Sequence, residues 1–313
     1  MGLPACFRRG YVSVIGQFTY LCVINKGVKR FNIYYVLKNF IVRTITGIVF
    51  VLVLMSAIYF HSYYFLILFS LITGLTLWEF YGLTRHYENA NIKRLVCSLG
   101  GAYLFAATFA YTNELMGDKV FLPYLAFLIY VFVAGLYHKE NNPINNWAIT
   151  LFAQVYCAGS FSMLNLITAV PNTPGVIVHF PYFAMAIFIF VWFNDTGAYL
   201  VGSMLGRHRL FERISPKKSW EGFFGGLLFS AAISSFFAWL VPSIAWYIWL
   251  GLAVTVVITG TWGDLVESLI KRTLGVKDSG SILPGHGGML DRFDSVMLAI
   301  PSAYIYIRLF IQN

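Results

Sequence analysis

The chain has 313 residues, of which 58% are hydrophobic and 11% charged, with a formal net charge of +9. A soluble domain carries about 25% charged residues, and its core could not enclose so much Phe, Tyr, Leu and Ile, whereas a bilayer accepts them on every outward face. The composition excludes an ordinary soluble domain, and the basic excess reads as Lys and Arg on the inner side of a membrane, with no nucleic-acid partner.

The first 43 residues carry Arg8, Arg9, Lys26, Lys29, Arg30, Lys38 and Arg43 but no acid. They are expected to form a basic cytoplasmic segment, or to reflect an overextended start, ahead of a membrane-embedded domain at 44–313. The apolar run at 11–25 is short for a span. It also lacks the small-residue cleavage site of a removable signal peptide.

Apolar segments follow at 44–60, 62–83, 95–112, 120–137, 147–170, 178–203, 222–241, 244–262 and 293–311. Each is close to the roughly 20 residues that a helix needs to cross the hydrocarbon. The fold class expected is all-α, a polytopic transmembrane bundle of about nine spans with a cytoplasmic N-terminus. With that orientation, only Lys119 and Arg308 of the 22 Lys and Arg fall outside the inner loops, the bias that membrane insertion produces. Cys6, Cys22, Cys97 and Cys157 form no CxxC and have no ligand spacing with a histidine, so no disulfide or zinc site is expected.

Of the thirteen acids, eight lie between Asp195 and Asp294. Asp195 sits with Asn194 and Thr196 inside an apolar run. An acid at the centre of a span costs about 2.5–3.5 kcal/mol on insertion scales, so it is expected to face a polar cavity or a partner. Ser215-Pro216-Lys217-Lys218-Ser219-Trp220-Glu221-Gly222 follows. Pro216 ends any preceding helix, and Ser215 or Ser219 could cap the next. Two lysines and a hydroxyl beside free backbone N–H groups make an anion site; a plain basic stop before the next span explains the lysines equally well.

In Gly263-Asp264-Leu265-Val266-Glu267-Ser268-Leu269-Ile270-Lys271-Arg272, Asp264 and Glu267 share one helical face, with Lys271 close to it. Such carboxylates hold a hard divalent cation, and such cations meet phosphate oxygens, unless the residues form only a surface ladder of ion pairs. In the run from Lys277 to Asp294, Gly285, Gly287 and Gly288 allow the close backbone approach that cradles a phosphate. Asp291 and Asp294 stand three apart at the start of the last span, and Arg292 between them points elsewhere. His286 is equally a structural histidine or a reacting one. Together these parts suit metal-assisted phosphoryl chemistry.

The run Ser268-x-Ile270-Lys271-Arg272-x4-Lys277-Asp278-x-Gly280-x2-Leu283-Pro284-x-His286-Gly287-Gly288-Met289-x-Asp291-Arg292-Phe293-Asp294 resembles the signature of the phosphatidate cytidylyltransferases, or CDP-diacylglycerol synthases. The Ser215–Gly222 and Asn194–Tyr199 motifs resemble that family's upstream motifs, and Leu77-Trp78-Glu79-Phe80-Tyr81 resembles its N-terminal half. The resemblance covers roughly residues 40–313.

The resemblance implies transfer of the cytidylyl group of CTP to phosphatidic acid, giving CDP-diacylglycerol and pyrophosphate. It implies Mg²⁺, with a second ion such as K⁺, and a bundle of about nine spans that is often a homodimer, with a cavity open to cytoplasm and lipid. The setting expected is a bacterial inner membrane, with the active site facing the cytoplasm. The family's metal-binding aspartates map onto Asp264 and Asp291, with Glu267 and Asp294 in or near the shell. Lys271, Arg272, Lys277 and His286 are the other expected catalytic groups. Asn194, Asp195, Ser215, Lys217, Lys218, Ser219, Gly287, Gly288 and Arg292 are the expected substrate contacts.

Two other classes compete. A CDP-alcohol phosphotransferase would need an Asp-Gly-x-x-Ala-Arg motif, which is absent. A transporter with Asp195 in its ion pathway would explain the spans, but not the Gly-rich His286 loop.

Overall fold

A computed structural model describes residues 19–311 except 25–26, 61–62, 86–91, 138–141, 174–175 and 281–286; side chains are described from residue 44 onwards, apart from 170–177. The chain divides into two units, Met1–Leu54 and Met55–Asn313. In the first, strands β1 (Thr19–Ile24) and β2 (Gly27–Asn32) pair antiparallel, Thr19 opposite Asn32, and lead into helix α1 (Ile33–Phe60). The helix starts well before residue 44, where hydropathy placed the first span. Hydropathy marks the hydrocarbon, whereas backbone hydrogen bonds let a helix continue beyond it.

The second unit is a helical bundle. Helices α2 (Tyr63–Thr84), α3 (Arg94–Thr112) and α4 (Leu122–Leu136) are followed by α5 (Pro143–Ala153) and α6 (Ser160–Thr168), which a π-helical stretch at Gln154–Gly159 joins into one long rod. A hairpin of β3 (Ala169–Thr173) and β4 (Val176–His179) leads to α7 (Tyr182–Leu205). A second hairpin, β5 (Arg209–Phe211) and β6 (Ser215–Ser219), leads to α8 (Trp220–Leu240), then α9 (Trp246–Thr273) and α10 (Leu290–Phe310). Among the described residues, eight helical segments are long and apolar enough to cross a membrane, and Thr44–Phe60 adds a shorter one. Each expected span therefore has its helix, and the chain is a polytopic membrane protein.

Lipid is as apolar as leucine, so close packing and hydrogen bonds hold such helices together. The α7–α8 contact shows both. A Cβ on Gly226 would run into the Asn194 side chain and lie 2.7 Å from the Asn194 carbonyl oxygen, so only glycine lets α8 approach α7 this closely. Ser230 Oγ donates to the Phe190 carbonyl across the same seam at 3.0 Å. The polar centre of the rod is Gln154, whose Nε2 donates to Cys97 O at 2.8 Å and to the Tyr81 hydroxyl at 3.0 Å.

An aromatic cluster ties the bundle together near the chemistry. Phe69 of α2 lies 5.9, 6.3 and 6.2 Å from Phe105, Phe161 and Phe188 of α3, α6 and α7. Phe293 of α10 meets Phe161 edge-on at 5.3 Å and Phe188 at 6.4 Å. Its burial fixes how the first turn of α10 faces α9.

Candidate active site

Helix α9 does not stop at the edge of its apolar run, as the span at 244–262 suggested, but continues to Thr273. The Glu267–Lys271 pair at i,i+4 and the basic last turn of Lys271 and Arg272 favour that extension. Asp264, Glu267 and Lys271 are thus helical residues, as their spacing suggested. The first turns of α10 lie against them.

Carboxylate oxygens of Asp264, Glu267 and Asp294 all lie within 4.8 Å of one another. Oxygens around one Mg²⁺ or Ca²⁺ stand about 3–5 Å apart, so the three suit a single hard cation. Glu267 is 1% exposed and its Oε1 accepts no hydrogen bond among the described residues. A buried carboxylate oxygen with no protein donor is free to serve as a cation ligand. Ser268 Oγ donates to Asp264 Oδ1 at 3.2 Å, and Lys218 Nζ lies 2.6 Å from Asp264 Oδ2. Asp195 is in electrostatic reach of both Asp264 and Lys218, which brings α7 and the β5–β6 hairpin to the cluster.

Asp291, expected beside Asp264, lies outside this trio. Its Oδ1 is 2.7 Å from Lys271 Nζ, which also sits 2.5 Å from Glu267 Oε2. Its Oδ2 accepts from the backbone N–H of Ser279 at 3.0 Å and of Gly288 at 3.2 Å. Asp294, expected in or near the shell, is the α10 acid that joins Asp264 and Glu267. Gly287 has φ +84° and a Cβ there would lie 3.4 Å from Asp291 Oδ2, so glycine lets the chain turn tightly around that carboxylate. The Gly288 N–H, expected to face phosphate, is directed at Asp291.

The remaining expected residues divide in the same way. Ser219, not Ser215, caps α8: its Oγ accepts from Gly222 N at 3.1 Å. Asn194 packs into the α7–α8 seam, and its neighbour Asp195 lies in electrostatic reach of Asp264 and Lys218. Lys217, Arg272, Lys277 and Arg292 are exposed. Ser215 is half-buried in β6. His286 lies outside the described residues.

Two acids that sequence reasoning left without a role prove central. Glu221 accepts from the backbone N–H of Arg207 and His208 and pairs with His208 Nδ1 at 2.6 Å, fastening the β5–β6 hairpin to α8. Glu79, buried on α2, accepts from Leu290 N at 2.9 Å and from Ser279 Oγ at 3.4 Å. The signal for Glu79 was available: it is a lone acid in an apolar helix, the same feature that singled out Asp195.

A carboxylate trio, flanking lysines and a glycine turn thus meet at the ends of apolar helices, a set of groups suited to a cation and to phosphate. Comparison with known proteins agrees. The model of the cytidylyltransferase family matches residues 41–310, and the chain belongs to that family. It is similar to the phosphatidate cytidylyltransferase of Staphylococcus epidermidis, with 53% identity over 116 residues, 36% of this chain and 44% of the relative. The proteins of the same name from Staphylococcus aureus and Staphylococcus haemolyticus are each 49% identical over 122 residues, 38% of this chain and 46% of the relative. The matched stretch spans less than half the length of each relative. None of the three is named for transport, and the transporter reading gains nothing from them.

Proposed function

We propose that the chain transfers the cytidylyl group of CTP to phosphatidic acid, making CDP-diacylglycerol and pyrophosphate for phospholipid synthesis. The observation that carries the reading is the Asp264–Glu267–Asp294 trio beside Lys218 and Lys271 at the ends of membrane helices. Family membership supports the nucleotide, and the names of the relatives support the lipid. A site at the ends of apolar helices suits both, since a lipid phosphate would arrive along the bundle and a triphosphate from water.

In the reaction a phosphate oxygen of phosphatidic acid bonds to the α-phosphorus of CTP, and the bond to the bridging oxygen of pyrophosphate breaks. Two anions must meet, so charge neutralisation dominates the barrier. Lys218 and Lys271 supply fixed positive charge on two sides of the trio. Asp264, Glu267 and Asp294 would hold Mg²⁺, with K⁺ as the candidate second ion. Mg²⁺, when bound, would draw charge from the phosphate oxygens. No side-chain nucleophile is needed, and Cys97 and Cys157 are buried. The basic loops favour the cytoplasmic face of a bacterial inner membrane as the setting of the site.

The test is CTP- and phosphatidic-acid-dependent pyrophosphate release by the purified protein with Mg²⁺. Turnover that Asp264→Asn abolishes in a folded variant supports the reading. A folded parent that stays silent with verified lipid and metal sinks it.

A further inference from the structure

Glu79 is 4% exposed, and its residue neighbours on α2 are Trp78 and Phe80. Among the described residues no cation pairs with it. An acid in such a place is costly unless something polar receives it, and it commonly marks function. What receives it here is the two described ends of the glycine-rich loop. Oε2 accepts from Leu290 N, in the first turn of α10, and from Ser279 Oγ. The same Ser279 Oγ accepts from Asp291 N at 3.3 Å, and Ser279 N donates to Asp291 at 3.0 Å.

Glycines at both ends of the loop make room for this carboxylate. A Cβ on Gly280 would lie 2.6 Å from Glu79 Oε1, and one on Gly288 would lie 2.6 Å from Oε2 and also overlap Ser279 Oγ. The two described ends of the loop therefore meet the Glu79 carboxylate on one side and the Asp291 carboxylate on the other. Lys271 then links Asp291 to Glu267 of the cation trio.

We infer that Glu79 is a positioning residue for the proposed reaction: a hydrogen-bond acceptor from α2 that sets the loop ends and the start of α10, and through them Asp291 and Lys271. The inference rests on the function proposed above. Glu79 touches none of the trio. Its role is that of an outer-shell acceptor, and loss of such partners typically lowers activity about 10–100-fold.

The experiment compares Glu79→Gln, Glu79→Ala and Ser279→Ala in the full-length protein, by steady-state kinetics and by hydrogen exchange without substrate. Glu79→Gln keeps an acceptor oxygen and should stay within a few-fold of the parent kcat. Glu79→Ala should lose about 10–100-fold in kcat, with faster exchange at Ser279, Gly288 and Leu290 and unchanged exchange in the middle of α9. A folded Glu79→Gln as inactive as Glu79→Ala would overturn the inference, because charge rather than hydrogen bonding would then matter. A parent-like Glu79→Ala would overturn it too. If Glu79→Ala does not fold, Ser279→Ala decides: it must lower kcat and speed exchange at Leu290 and Asp291, and parent-like behaviour rejects the role. Exchange needs no turnover, so a parent inactive on CTP and phosphatidic acid would count against the proposed function while leaving the loop measurement standing.

Discussion

Lys271 Nζ lies 2.7 Å from Asp291 Oδ1, joining the last turns of α9 to the first turn of α10. The same ammonium neutralises Glu267 at 2.5 Å, so one cation serves two largely buried acids.

Lys271→Met should leave both carboxylates without their cation. Breaking a buried pair from one side costs about 3–5 kcal/mol, so the variant should melt well below the parent in detergent. Lys271→Arg should recover much of that loss. A Lys271→Met protein as stable as the parent would show that the pairing contributes nothing.

The trio and Asp291 are expected to separate in a metal titration. Asp264→Asn and Asp294→Asn each remove a proposed ligand and should abolish measurable Mg²⁺ binding by calorimetry. Asp291→Asn removes only the group that orients Lys271 and the loop, and should weaken binding by about 10–100-fold. Equal, complete loss in all three would move Asp291 into the ion's shell.

The α7–α8 seam should be intolerant of bulk. Gly226→Val places methyl groups where Asn194 now lies. Overpacking of this kind typically costs about 1–3 kcal/mol, and here it also displaces the Asn194–Asp195 backbone of α7 beside the site. Lower melting temperature together with weaker activity in the surviving folded fraction is the expected pair of results. A parent-like melting curve would contradict the packing argument.

Orientation is open to single-cysteine labelling. Arg213 is exposed in the β5–β6 hairpin, whereas Ser279 is buried and makes a poor reporter. Arg213→Cys should react with a membrane-impermeant reagent only when the cytoplasmic face is opened. Labelling in intact cells would invert the topology.

The spans were legible because lipid imposes a length and a composition on every crossing helix. The pairing of Asp264 with Glu267 was legible as well, since i,i+3 spacing is enough to align them. The choice between Asp291 and Asp294 was not. Both lie on nearly the same face of α10 and both reach α9, Asp291 through Lys271 and Asp294 beside Asp264 and Glu267; which carboxylate joins the trio depends on how the two helices cross, a tertiary property. Glu79 escaped for a related reason. Its partners Ser279 and Leu290 lie at the far end of the chain, and nothing local announces that contact. The alternative caps Ser215 and Ser219 were equally good by type. The strand pairing of β5 with β6 decided between them by bringing Ser219 opposite Arg209 at the helix start.

The anchoring of Phe293 among Phe161 and Phe188 has a consequence for how this site tolerates change. Each residue advances a helix by about 100°, so Arg292, Phe293 and Asp294 look in three different directions. With Phe293 locked in the aromatic cluster, α10 has one rotational phase, which turns Asp294 toward α9 and leaves Arg292 exposed. An inserted residue in the preceding loop leaves that phase intact. One inserted just after Phe293 would lengthen α10 by a single residue, leave its hydropathy almost unchanged and turn Asp294 away from its partners, so such a variant is expected to enter the membrane and to lose activity.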